Sequence, residues 1–293
     1  MNDNTPLVSV MMAVYDDGRE STRHYFSEAL KSILDQSFAD IEVVVVLSGE
    51  QGFVEHLTTD PRVRVFYSGN EGGYDQGLKR KVRGLAVARN MGVHKSQGKY
   101  LAVQDADDLS KPNRIGAQVE YMEAHPEVGV LGSCMDMIDG EGIKSGYRST
   151  YEDDAQIRRG LLQFNPLPQP SIMLRRQLVL DVGGYSETEI AEDYDLWVRL
   201  AAVTQLHNLQ EPLVEYRVHA GGGATRVSRA LYFGSLRIKW RAMRTLKIWP
   251  GPKEIAVNLL QFLSYLLPVS FRRNALEPLR GKLIIRKRTT GQG

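Results

Sequence analysis

Residues 8–14 form a nearly unbroken apolar run with β-branched members, and residues 41–47, IEVVVVL, repeat it. Runs of this length without polar alternation predict strands buried on both faces. Shorter runs at Val63–Tyr67, 100–104 and 128–131 predict three more strands. Between them the period changes. Residues 22–36 place Phe26, Leu30, Ile33 and Leu34 on one helical face, with Ser21 or Thr22 as the expected cap. Residues 84–96 suit a second helix, and Pro112 opens a third that carries Ile115, Val119 and Met122. Strands alternating with helices predict a mostly parallel α/β sheet covered on both faces. Such sheets bind ligands at the carboxyl ends of their strands. Attention therefore falls just after Val14, Leu47 and Gln104. No internal repeat or low-complexity segment interrupts the pattern.

The character changes at about residue 226, which divides a body (1–225) from an extension (226–293). Residues 228–247 predict a basic helix. Residues 255–271 are seventeen positions without a charge, preceded by Lys253 and Glu254 and followed by Arg272 and Arg273. A spanning helix needs about 20 predominantly apolar residues. This run is shorter, is interrupted by Asn258, Gln261 and Ser264, and contains Pro268. It predicts an interfacial helix, or one packed on another subunit or on the protein's own core, rather than a span.

Charge sharpens that division. The extension holds fifteen Lys and Arg against Glu254 and Glu277, a net +13, and the body carries −11. An acidic body suits a bound cation, and a basic extension suits an anionic surface or simply water. A membrane-surface contact through residues 250–293 or a homo-oligomer contact follows as an expectation; nothing points to nucleic acid. Cys134 stands alone, which excludes an intrachain disulfide and favours a reducing compartment. Residues 1–20 carry no export pattern, so a cytoplasmic location, at the inner face of the membrane, is expected.

Three segments carry candidate chemistry. Asp105-Ala106-Asp107-Asp108 directly follows a predicted buried strand. Carboxylates crowded there repel one another unless a cation or hydrogen-bond donors offset them. Hard oxygen ligands suit Mg²⁺ or Mn²⁺, although an acidic turn before the Pro112 helix is the plainer alternative. Glu192 and Asp193 open a helix bearing Leu196, Trp197 and Leu200. Acids there match the helix dipole, or one of them serves as a general base. Tyr216-Arg217-Val218-His219 closes an apolar run, and its histidine is either a packing residue, a metal ligand or a phosphate contact.

The order of these segments resembles family-2 inverting glycosyltransferases of the GT-A fold, a Rossmann-like sheet flanked by helices. The resemblance spans roughly residues 6–220. It rests on VSVMMAVYD, YFSEALKSILDQSFADIEVVVV, ARNMGVHKSQGKYLAVQDADD, PNRIGAQVEYME, PEVGVLGS, QPSIMLRR, VGGYSE, AEDYDLWVRLA and YRVH. It implies that Ala13, Val14 and Tyr15 lie beside the nucleobase and that Arg89 contacts the nucleotide. Asp105 and Ala106 would line the donor site. Asp107 would bind the metal, with His219 near it, and Asp193 would be the catalytic base, with Glu192 its neighbour. The implied reaction moves a sugar from a nucleotide-sugar, commonly a UDP-sugar, to a glycan or lipid-linked acceptor in surface polysaccharide or lipopolysaccharide assembly.

Some positions depart from the family. Relatives usually carry Asp-Asp-Gly-Ser after the second strand, where this chain has Leu47-Ser48-Gly49-Glu50. That leaves uridine, guanosine and thymidine donors open, and it admits a non-catalytic homologue as an alternative. The segment 69–84 is long and basic. Gln169-Pro170-Ser171 replaces a usual His-Pro-Thr or His-Pro-Ser. The Gln-x-x-Arg-Trp motif of processive members is absent, which favours a single transfer. A nucleotidyltransferase of the same fold would need a glycine-rich basic loop where Tyr15-Asp16-Asp17 stands.

Overall fold

The structure is a computed structural model describing residues 5–49, 59–68, 82–219 and 229–266. The long apolar runs become β1 (Val8–Asp16) and β2 (Ile41–Gly49). With β3 (Val63–Tyr67) and β4 (Tyr100–Asp105) they form a parallel array in the order β3-β2-β1-β4. Both faces of this array are covered. Val8, Val10 and Met12 pack with Phe26, Leu30 and Ile33 of α1 (Glu20–Leu34) and with Ile115 and Met122 of α3 (Arg114–Ala124). Met11 and Val103 face the other side, toward α2 (Val82–Lys95). There Gly92 brings the helix close, since a Cβ on it would lie 2.6 Å from the Met11 side chain. Strands sandwiched in this way need apolar residues on both faces, which explains their unbroken hydrophobicity.

Beyond β4 the sheet is mixed. β5 (Leu109–Ser110), β6 (Val128–Ile138), β7 (Lys144–Arg148), β8 (Met173–Arg175) and β9 (Gln205–Arg217) extend the order to β8-β6-β9-β5, with β7 on β6. Here β8 runs antiparallel to both neighbours, whereas β6 and β9 are parallel. Parallel pairing therefore dominates only the first half. The remaining helices are α4 (Asp154–Gly160), α5 (Arg176–Asp181), α6 (Glu192–Leu200), α7 (Arg229–Leu246) and α8 (Pro252–Leu266). α7 places Ile238 and Ala242 in the same core as Trp197 of α6. The extension is thus packed against the body. The 225/226 boundary and most of segment 69–84 lie outside the described residues.

The start of α1 corrects an expectation. Neither Ser21 nor Thr22 caps it: the helix begins at Glu20 after Arg19, with no side-chain cap. Thr22 instead donates to Asp17 at 2.8 Å, which also accepts the Arg19 amide.

Beneath the ends of β4 and β8, Arg114 is fully buried. It donates to Gln104 Oε1, Ser110 Oγ, Gln118 Oε1 and the carbonyls of Val103 and Ile172, at 2.7–3.3 Å. Burial pulls its pKa down to about 9 against the attraction of Asp108 and Asp105. Truncating it strands several buried acceptors. Arg114→Ala is expected to cost about 3 kcal/mol, read as a lower urea midpoint. An unchanged midpoint would show that water replaces the guanidinium.

Candidate active site

The site forms where β1 and β4 end. Parallel register sets Ala13 opposite Asp105. Val14 is buried, and Tyr15 stands at the lip, 40% exposed. Next to it Asp16 is buried again, accepting from the Gly18 amide (2.9 Å) and Arg23 Nη2 (2.8 Å). β2 ends against the same point. Gly49 has φ +100°, and a Cβ there would sit 2.1 Å from the Asp16 carbonyl oxygen. Only glycine fits this left-handed close approach. Glu50 lies outside the described residues.

Arg89 ties three elements together. Its guanidinium pairs with Glu192 at the start of α6 and with Asp105 at 3.2 Å, and it lies 5.6 Å over the Tyr185 ring. The residue is buried, and its ion-pairing nitrogens are turned toward protein carboxylates. Burial lowers its pKa, but Glu192 and Asp105 outweigh that and hold it above the ordinary value. Burial raises Glu192 to about 7 against the pull of Arg89, and neighbouring Asp193 adds to the rise. Asp105 is raised by burial too, with Arg89 opposing and Asp107 and Asp193 reinforcing. Both of those carboxylates therefore lie within electrostatic reach of Asp105.

Tyr185 is held from both ends. Gln169 donates to its hydroxyl at 3.0 Å, and Asn90 bonds its backbone amide and carbonyl at 2.7 and 2.9 Å. The preceding Gly183 and Gly184 have φ of +84° and +70°. Gly-Gly-Tyr is thus a turn that delivers an aromatic face to Arg89.

A second clasp joins Asp105-Ala106-Asp107-Asp108 to the end of β9, next to which β5 pairs. Asp108 accepts the Arg217 amide at 2.8 Å, and the Arg217 side chain donates to the Asp107 carbonyl at 3.0 Å. Arg217 also reaches Glu28 at 2.8 Å and lies 4.5 Å over the Tyr25 ring. His219 Nε2 is 2.9 Å from Asp107 Oδ2. Asp108 is fully buried, with no hydrogen-bond partner for its Oδ2. Burial, then Asp107 and Asp105, push its carboxyl well above the usual range.

Asp193 is half-buried. Its Oδ2 accepts from Asn165 Nδ2 at 2.8 Å, and its Oδ1 from the Tyr194 amide at 2.7 Å. Asn165 belongs to no recognisable motif and was invisible in the sequence. Arg217 and Tyr185 were inside quoted motifs, but nothing in them announced their contacts.

Among the described residues no group of three or more His, Cys, Asp or Glu side chains is arranged around a metal position. At the end of β4, Asp107 and His219 bring a carboxylate oxygen and an imidazole nitrogen to 2.9 Å of each other. That pair fits one side of a Mn²⁺ or Mg²⁺ shell whose other ligands come from phosphate and water.

Residues 9–182 match Glycosyl transferase family 2, more than half of the chain, and the chain belongs to that family. It is a glycosyltransferase with the GT-A fold. Over 274 residues it is 24% identical to the UDP-Gal:alpha-D-GlcNAc-diphosphoundecaprenol beta-1,3-galactosyltransferase of Escherichia coli, covering 93% of this chain and 96% of that one. The structure of S. aureus TarS 1-349 with UDP-GlcNAc superposes with TM-score 0.62 at 18% identity, over 92% and 75% of the two chains. The mannosyltransferase PcManGT of Pyrobaculum calidifontis, with GDP-Man and Mn²⁺, gives 0.52 at 17% identity, over 92% and 83%. At such identities these structures speak for the fold alone. Glu192, Asp193 and His219 lie beyond the stretch matched by the family.

The raised Glu192 pKa has a thermodynamic consequence. The folded carboxyl holds its proton more tightly than the unfolded one, whose pKa is near 4.5. Its contribution to stability is full below that value and is lost as pH rises to about 7. Urea unfolding across this window is expected to show wild type losing stability relative to Glu192→Gln. Parallel pH profiles would mean the carboxyl titrates normally.

Proposed function

We propose that the chain transfers a sugar from a nucleotide-sugar, a UDP-sugar, to a hydroxyl of a glycan or lipid-linked acceptor, once and with inversion. The observation that supports this reading is Arg89, which pairs with Asp105, two residues before Asp107, and with Glu192, the neighbour of Asp193. In this reading a base carboxylate and a phosphate-side carboxylate would flank the bound sugar.

In this reading Asp193 takes the proton of the acceptor hydroxyl as its oxygen attacks the anomeric carbon. The new C–O bond forms on one face while the bond to the diphosphate breaks on the other, and the electron pair leaves with the nucleoside diphosphate. Asn165 and the Tyr194 amide each donate one hydrogen bond to Asp193, leaving lone pairs for the incoming proton. Asp107 and His219 would hold Mn²⁺ or Mg²⁺, which when bound supplies positive charge against the diphosphate. Ala13, Val14 and Tyr15 form the wall for the nucleobase. Arg89 keeps Asp105 and Glu192 in place next to the donor.

The uridine assignment draws on the UDP-Gal named for the E. coli relative and the UDP-GlcNAc bound to TarS. The diphosphoundecaprenol acceptor of that relative, matched along nearly its full length, supports a lipid-linked acceptor and work at the inner face of the cytoplasmic membrane. Among the described residues no helix is long and apolar enough to cross a membrane.

The test is donor hydrolysis and transfer with and without Mn²⁺. Asp193→Asn is expected to lower kcat by about 10³, within the range for a lost general base, with donor binding intact by thermal shift. Asn165→Leu is expected to lower kcat about tenfold, because a misplaced base loses part of that effect, with donor KM little changed. Full activity in Asp193→Asn would sink the mechanism. Donor binding without any turnover in wild type would favour the non-catalytic alternative.

A further inference from the structure

α8 is an amphipathic helix docked the wrong way round for a water-facing surface. Its polar stripe points inward. Glu254 is buried and takes Arg159 Nη2 and the Gly251 amide, both at 2.7 Å. Asn258 donates to the Leu162 carbonyl at 2.9 Å, and Gln261 to the Gln163 carbonyl at 3.2 Å. Lys239 of α7 donates to the side chains of both Asn258 and Gln261. These three positions are spaced i, i+4, i+7, and so they occupy one helical face. The opposite face carries Ile255, Leu259, Leu260, Phe262 and Leu263, all exposed, with Trp249 just before the helix at 73% exposure. A surface helix normally buries its apolar stripe and exposes its polar one. Contiguous exposed apolar residues on this scale mark a binding surface.

The charge around this face identifies the occupant. Lys247 and Lys253 are exposed beside Trp249 and at the first turn of α8, and Arg244 lies exposed on α7. The sequence from 226 to 293 has a net charge of +13. A second copy would bring the same positive charge against itself. An anionic bilayer brings the opposite charge and an apolar interior, and tryptophan sits favourably at its boundary. We propose that the outer face of α8, with Trp249, lies in the headgroup region of an anionic membrane. The helix then lies along the surface, with leucine and phenylalanine side chains entering the acyl boundary while its polar stripe holds the enzyme.

This inference stands apart from the catalytic reading, since it needs neither donor nor acceptor. The test uses the full chain and vesicles of phosphatidylcholine alone or mixed with phosphatidylglycerol. Binding is expected only to the mixed vesicles, weakened by salt and accompanied by a blue shift of tryptophan emission. The double variant Leu259→Gln, Leu263→Gln should bind about tenfold or more weakly, given the transfer energy of two leucines, with an unchanged thermal midpoint. Lys247→Glu with Lys253→Glu should weaken binding by a similar factor, as expected for cations near a charged surface. Asp193→Asn should bind like wild type. Three results would each overturn the proposal. One is no vesicle binding. The second is a solution dimer dissolved by the leucine changes, which would make a second copy the occupant. The third is a lowered midpoint in the leucine variant, which would mean the chain covers this face itself.

Discussion

Five carboxylates crowd the working end of this sheet, and the structure around them is arranged to make that crowding tolerable. Asp105, Asp107 and Asp108 share four consecutive positions at the end of β4, and Glu192 and Asp193 approach from the first turn of α6. Buried like charges cannot all ionise cheaply. Arg89 neutralises the pair formed by Asp105 and Glu192, and Arg217 and His219 hold the other end of the motif. Asp108, fully buried with one orphaned oxygen, is pushed toward its neutral form. The segments far apart in sequence therefore depend on one another. Removing Arg89 would leave Asp105 and Glu192 in low dielectric without their cation, a larger loss than the bond itself.

The parallel half of the fold was plain in the sequence because its strands are sandwiched. β1 and β2 have no water-facing side, so hydrophobicity alone located them to within two residues. The mixed half was less legible. β8 is three residues long and pairs antiparallel on both sides, which no local pattern encodes. The α1 cap failed for a related reason. Serine and threonine suggest a start, but the helix begins at Glu20, and Thr22, already inside it, donates back to Asp17.

Site residues divide along the same line. Residues within short motifs, such as Asp107, Asp193 and His219, stand out from the order of those motifs along the chain. Residues whose role is purely geometric do not. Asn165 reaches Asp193 from a loop 28 positions away, and Gln169 reaches Tyr185 from a short turn. Arg114 looks like an ordinary helix residue, yet it is a buried cation joining α3 to β4 and to Ile172, just before β8. Each contact depends on the finished tertiary arrangement. The orientation of α8 belongs here too: a charge-free run announces an apolar helix but not which face meets the protein.

That orientation links the extension to the proposed base. The carbonyls that accept from Asn258 and Gln261 are those of Leu162 and Gln163, and Asn165 follows two residues later. On the other side, α7 packs against α6, the helix that begins with Glu192 and Asp193. Arg241 of α7 pairs with Asp195 and Glu189, two and four positions from Asp193. Asp193 is therefore gripped between two segments that the C-terminal helices themselves brace. An extension serving only as a detachable tether would have no reason to make these contacts. Its polar stripe and the ion pairs of α7 therefore converge on the segments that set the position of Asp193.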